Sequence, residues 1–251
     1  MRVLPQIDDL PPQLANNRSH WQSWGTVEGA AGSLTVHRSG LPHPMLNGVT
    51  RVHGANLPAA YDEARRHLAG VPSLWWVGAD SDPGTAGFLT TKAVEVASFP
   101  VMAFALDRLP EVAAPSRFRV TEVADAADVA AFVDTYARPM GVLPSSVLAV
   151  TAAEVERGNR FDGLARFLGW LDDRPIATAE LWISDGVAGL YTVSVDGAHR
   201  RRGFGAAVTV AALRAARARG VRVGTLQAGG GERLYRRMGF RTVGRYRVFS
   251  L

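Results

Sequence analysis

In the second half of the chain, apolar positions switch cleanly between a period of two and a helical period. RFRVTEVA (117–124) predicts a strand, and ADAADVAAFVDTYA (124–137) a helix with its apolar residues at helical spacing. SSVLAVTAAEVERG (145–158) predicts a second helix, begun by serine and ended by Gly158. ARFLGWL, DDRP and IATAELWIS read as strand, turn and strand, and Asp185-Gly186 is a hairpin signal leading into VAGLYTVSV. That last segment is apolar almost throughout, as a central strand covered on both faces should be. A glycine-containing loop follows, then a helix over 203–219 stopped by Gly220. VRVGTLQA predicts a strand, GERLYRRMGF a short helix stopped by Gly239, and TVGRYRVF a closing strand.

The first half is less regular. GSLTVHRS, NGVTRVHG and PSLWWVG predict strands, AAYDEARRHLA a helix, and AVEVASFPVMAFAL one or two strands. Trp21, Trp24 and the Trp75-Trp76 pair are expected in core or interdomain packing. SGLPHPMLNGV (39–49) is turn-rich; it reads as a structural loop, with a lining role in an acceptor cleft as the alternative. DRLPEVAAPSRF carries two prolines and no sustained period, so a linker is expected at 108–116, between a first domain over 1–107 and a second over 117–251. The class expected is α/β with a mixed sheet.

Composition narrows the chemistry. The chain has no cysteine, which removes disulfides, thiolate nucleophiles, cysteine-ligated metal and a cysteinyl-acyl intermediate. The six histidines show no metal-binding spacing, so no metal is expected. The N-terminal sequence has no apolar signal region and no run reaches membrane-spanning length, so a cytoplasmic protein without membrane contact is expected. Charge is lopsided: residues 196–251 hold 13 arginines against two acids, while the rest of the chain is net negative. Such a concentration points to a polyanionic partner. Nucleic acid is disfavoured, because no aromatic residues interleave with the arginines and no recognition motif is present.

The arginines begin at the mouth of a helix, in SVDGAHRRRGFGAAV. A helix N-terminus exposes unpaired N–H groups and a partial positive charge, and glycine lets the backbone approach a phosphate closely. Strand, loop and helix therefore form a phosphate cradle. The absence of lysine from this loop excludes a Walker A motif there. Val208 at the sixth position, with no acid from Asp196 to Glu232, argues against a dinucleotide fingerprint.

What remains, Arg200-x-x-Gly203-x-Gly205 after an apolar strand, resembles the coenzyme A loop of the GNAT acetyltransferase superfamily. Gly197 and His199 stand where the family more often has proline and an aromatic residue. RLYRRMGF resembles the family's closing motif, with Tyr235, Gly239 and Phe240 on its pattern. The resemblance covers about 117–251 and implies a GNAT-like fold, with the first half a degenerate GNAT-like copy in tandem. It implies acetyl-CoA as co-substrate, its phosphates on Arg200, Arg201, Arg202, Gly203, Phe204, Gly205 and Ala206. The pantetheine arm would run along backbone near Val193 and Val195, and Tyr235 would protonate the departing thiolate. The strand before the loop lacks the family's frequent glutamate, leaving Glu180 or Tyr191 with a water as candidate bases. Gln227 and three glycines stand where many members carry asparagine. The function implied is direct acyl transfer, most simply acetyl, to an amine on a small molecule or protein. A catalytically silent coenzyme A sensor and an enzyme resembling mycothiol synthase are the alternatives.

Overall fold

A computed structural model describes residues 5–27 and 32–251. The first stretch of chain gives α1 (Leu10–Gln22), β1 (Thr26–Val27), β2 (Leu34–Arg38), β3 (Asn47–Val52), α2 (Leu57–His67), β4 (Leu74–Val77), α3 (Thr85–Leu89) and β5 (Val94–Ala105). Then follow β6 (Phe118–Glu122), α4 (Ala126–Met140), α5 (Val147–Arg160), β7 (Leu164–Leu171), β8 (Arg174–Ser184) and β9 (Val187–Val195). The chain closes with α6 (Phe204–Ala218), β10 (Val223–Gln227), α7 (Glu232–Arg237) and β11 (Arg241–Ser250).

The eleven strands among the described residues join one mixed sheet in the order β1-β2-β3-β4-β11-β5-β10-β9-β8-β7-β6. Two neighbouring pairs are parallel, β3 with β4 and β9 with β10. Each is bridged by a helix crossover, α2 in one case and α6 in the other, so the two stretches repeat one connectivity. Their last strands are exchanged: β11 lies between β4 and β5, and β5 lies between β11 and β10. The sheet thus passes without a break from one stretch to the other.

Local chemistry explains most element ends. Asp185 and Gly186 both take positive φ, 53° and 77°, as a two-residue hairpin turn matched to strand twist requires. Gly141 and Gly220 end α4 and α6 with left-handed φ of 80° and 82°. Gly158 is not the end of α5, which runs on to Arg160. A Cβ at Gly158 would lie 3.1 Å from Arg166 Nη1, so this glycine makes room for a buried guanidinium rather than stopping the helix. AVEVASFPVMAFAL is one twelve-residue strand, and its second half is buried because both flanks are paired.

Helices α1 and α3 lie where no element was expected. Pro11 and Pro12 stand in the first turn of α1, where their missing N–H groups cost nothing. One face of α1 lies on β8 and β9. Gly189 permits this close approach, since a Cβ there would collide with Asn16 Oδ1. Trp75 is core between α2 and the sheet, while Trp21 and Trp76 pack with Val101, Tyr246 and Val248 where the exchanged strands meet.

Candidate active site

The strands part at the centre of the sheet. Parallel pairing of β9 with β10 runs from Ala188 opposite Gly224 to Leu190 opposite Leu226 and stops there, although β9 continues to Val195. On the other side of β9, the register with β8 slips between Thr178 and Glu180, and Thr192 takes a left-handed φ of 47°. A bulge of this kind re-aims the local backbone. The Thr192 carbonyl is held by the Thr178 hydroxyl at 2.8 Å. Tyr191, Thr192 and Val193 then face a cavity in place of a neighbouring strand.

Beyond Val195 the chain turns into the arginine–glycine loop. The Asp196 carboxylate accepts from the Ala198 N–H at 3.0 Å and pairs with Arg174 at 3.1 Å. Arg200 donates to the Val195 carbonyl at 3.2 Å, and Arg202 lies 5.4 Å over the Phe204 ring. Arg201 is exposed at φ 62°. Gly203, at φ 88°, precedes α6 and supplies no side-chain cap. Phe204 is buried against Phe118, which fixes the helix start from below. Helices α2 and α4 are closed differently: Asn56 accepts from Ala59 N–H and Asp125 from Asp128 N–H. The first N–H groups of α6 have no such stopper. They carry the positive end of a 15-residue helix dipole beside exposed guanidinium groups. Arg200 to Gly203 therefore form one exposed rim, with Phe204 buried beneath it, Gly205 and Ala206 half-buried behind it, and Val193 and Val195 leading up to it.

Between this rim and α1 lies a cavity of about 350 Å³. Leu190 to Val193, Leu226, Gln227, Gly229 to Gly231 and Tyr235 form one wall, and side chains of α1, α4 and the 39–49 segment form the other. Tyr235 is buried, and burial pushes its hydroxyl up to about 12, so it keeps its proton at neutral pH. The 39–49 segment sends His43 and Met45 to the wall, and His43 Nε2 meets the Met140 carbonyl at 3.0 Å across the cavity rim.

Glu180 is not placed to act as the base. Its carboxylate is fully buried and lies outside the cavity wall. Burial alone would raise its pKa, but the Arg157 guanidinium and the His20 hydrogen bond overcome this and hold it well below the usual carboxylate range. Arg157 reaches both oxygens, at 2.8 and 3.2 Å, and also pairs with Glu154 at 2.7 Å. Arg166 reaches Glu154 at 2.6 Å, and Tyr136 donates to Glu154 at 3.1 Å. Two carboxylates and two guanidiniums thus balance beneath the cavity.

The residue that does line the cavity is His20, on α1. Its Nε2 meets Glu180 Oε1 at 2.8 Å, and its ring stacks on Tyr191 with centroids 3.5 Å apart. An ionised carboxylate only accepts, so Nε2 carries the hydrogen and Nδ1 keeps the lone pair. Nδ1 is itself buried and has no hydrogen-bond partner among the described residues, the condition of a lone pair that only a group entering the cavity could meet. Burial lowers His20 to about 4 against the opposing pull of Glu180, so the ring is neutral at physiological pH. Composition does not mark His20. Its one signal in the sequence is the helical spacing of Gln13, Asn16, Asn17 and His20, a polar face that an apolar period does not reveal.

Residues 134–240 match the family model described as the acetyltransferase (GNAT) family. No curated protein matches the sequence. Among solved structures, the chain resembles a GCN5-related N-acetyltransferase from Kribbella flavida, with a TM-score of 0.69 and 22% identity over 96% of this chain and 95% of that one. A GCN5-related N-acetyltransferase from Sphaerobacter thermophilus gives 0.60 and 22% over 78% and 66%. A tandem GNAT protein from the clavulanic acid biosynthesis pathway gives 0.59 and 13% over 99% and 97%. At these identities the likenesses concern the fold, which is a mixed α/β GNAT-like architecture.

Proposed function

We propose that this chain, whose residues 134–240 match the acetyltransferase (GNAT) family model, transfers an acetyl group from acetyl-CoA directly to an amine in a ternary complex. The observation that carries the reading is the parting of β9 from β10 between an uncapped, arginine-flanked helix start and a cavity that holds Tyr235. The free edge of β9 suits the pantetheine amides, with backbone near Val193 and Val195 as their partners. The α6 N–H groups from Gly203 to Ala206 suit the pyrophosphate, and Arg200, Arg201 and Arg202 suit the remaining phosphate charge. The α2 start is stoppered by Asn56, so only the second copy of the repeated unit is a cofactor site in this reading.

In the transfer, the amine lone pair attacks the thioester carbonyl carbon. A C–N bond forms, the C–S bond breaks, and its electron pair leaves on sulfur. The proton that the nitrogen sheds passes to His20 Nδ1. Glu180, ionised behind Nε2, stabilises the resulting imidazolium and fixes the ring as a positioning residue. A phenol held near 12 does not hand its proton fully to a thiolate whose own pKa is about 8.5. Tyr235 therefore acts as a hydrogen-bond donor to the departing sulfur. The silent-sensor alternative differs only in lacking turnover.

Gly205→Asp tests the cradle. A Cβ there meets only Leu234 and Val195 at 3.5 Å, and an acid in a first helical turn favours the helix, so the fold should be retained. Calorimetric titration is expected to show acetyl-CoA binding by the wild type and none by the variant. Equal binding by both would remove the cradle from the reading. His20→Gln is expected to lower kcat by about 10²- to 10⁴-fold at unchanged acetyl-CoA affinity. Thiol release unaffected by His20→Gln would remove the base, and release absent in the wild type with every amine would favour the sensor.

A further inference from the structure

The cavity wall has a chemistry of its own. Among the described residues, no aspartate, glutamate, lysine or arginine lines it. The ionic cluster beneath offers no spare charge, since Glu154 and Glu180 are matched by Arg157 and Arg166. Much of the lining is rings and thioethers: Trp21, Trp24, Trp76, Phe99, Met45 and Met140. Trp76 stacks on Phe99 with centroids 5.3 Å apart, and Trp21 lies 5.9 Å from Trp76. Arg157 already covers Trp24 at 4.2 Å, so a cation–π partner for that ring is in place.

We propose that the acceptor is a small primary amine of the arylalkylamine type, with one aromatic ring, one reacting nitrogen and no second charge. The proposal rests on the acetyl-transfer reading and names the substrate class of that same cavity. A second ammonium, as in a polyamine or an amino sugar with several amines, would be stripped of water with no carboxylate to meet it. A carboxylate, as in an amino acid, would meet no free guanidinium. An aromatic ring instead gains buried area and offset stacking against rings already spaced for it. About 350 Å³ holds one such molecule beside a thioester arm, at the small end of ordinary ligand cavities. The reacting nitrogen enters as the neutral amine, which needs no counter-charge, and gives its proton to His20 as it becomes acylated.

The test measures thiol release from acetyl-CoA by the full-length protein with 2-phenylethylamine, spermidine and glucosamine. Two variants accompany it: Trp24→Ala, which removes a half-buried ring, and Met140→Glu, which adds a carboxylate at an exposed position on the wall. The expected result is kcat/KM for 2-phenylethylamine at least about tenfold above the other two amines. Trp24→Ala should raise KM for that amine about tenfold at unchanged acetyl-CoA affinity, and Met140→Glu should shift preference toward spermidine. Wild-type preference for spermidine or glucosamine, or indifference to Trp24→Ala, overturns the proposal. A second measurement needs no turnover: N-acetyl-2-phenylethylamine should quench tryptophan fluorescence saturably, and its failure to do so also overturns the proposal. Absence of acetyl-CoA binding would instead overturn the acetyl-transfer reading, and the quench would still decide whether the cavity takes an aryl group.

Discussion

His20 and His37 are both enclosed, and burial holds each imidazole at about 4 against an ordinary value of 6.5. In the unfolded chain both rings take up protons as the pH drops below 6.5; in the folded chain they resist until about 4. The unfolded state therefore binds more protons across that window, and stability rises with pH through it. Their contribution is complete above pH 6.5 and is lost as the pH falls toward 4, by an order of a few kcal/mol for the two together. Urea unfolding at pH 7, 5.5 and 4.5 should show the midpoint falling at each step. A midpoint constant from pH 7 to 4.5 would mean that water reaches one or both rings. The same burial leaves His20 neutral at the pH where the proposed transfer needs its lone pair.

Helix α1 binds to the sheet through polar groups. Asn16 donates to the Trp182 carbonyl and Ser184 hydroxyl at 3.0 Å and accepts from Tyr191 at 2.8 Å. Gln13 accepts from Thr225 at 3.1 Å, and Asn17 donates to Gln227 at 2.8 Å. Gly189→Ala inserts a methyl into the Asn16 contact and should lift the helix, with His20 on it, away from the site. Acetyl transfer is expected to fall about 10²-fold, the scale of an ångström misplacement, while acetyl-CoA affinity stays within about twofold. Unchanged kcat would show that α1 absorbs the methyl without moving His20. This helix also shows why half of the site was hidden in the sequence. The buried face of α1 carries Gln13, Asn16, Asn17 and His20 beside only two apolar residues, Leu14 and Trp21, too few to give a helical apolar period. The strands and helices from β6 to β11 were legible because their burial is apolar and their ends carry Asp-Gly or glycine signals. The ion cluster was illegible for another reason: Glu154, Arg157, Arg166 and Glu180 come from three elements, and only the folded sheet brings them together.

At the scale of the molecule, the placement of β5 and β11 beside each other binds the two stretches of like connectivity more tightly than a linker between them would. A chain ending near 107 would present β4 with no neighbour on the side β11 occupies, and would leave β5 unpaired on both edges. A chain starting near 117 would lose α1 from β8 and β9, and β5 from β10 and β11. Tyr246, Val248 and Phe249, all fully buried in the whole chain, would face water. Unpaired edges carrying apolar side chains associate or unfold. Residues 1–116 and 117–251 produced separately are therefore expected to give no cooperative unfolding transition, and the two produced together to recover both a transition and acetyl-CoA binding. Circular dichroism in urea on each half and on the pair measures this. A cooperative transition for 117–251 alone would mean that β11 can fold back to cover β10 by itself, and that the sheet of the whole chain joins two independent units. This pairing also bears on function, because α1 and the 39–49 segment wall the cavity from the first part of the chain while the proposed cofactor cradle belongs to the second. Acetyl transfer by the recombined halves, and by neither alone, is the outcome that this shared site requires.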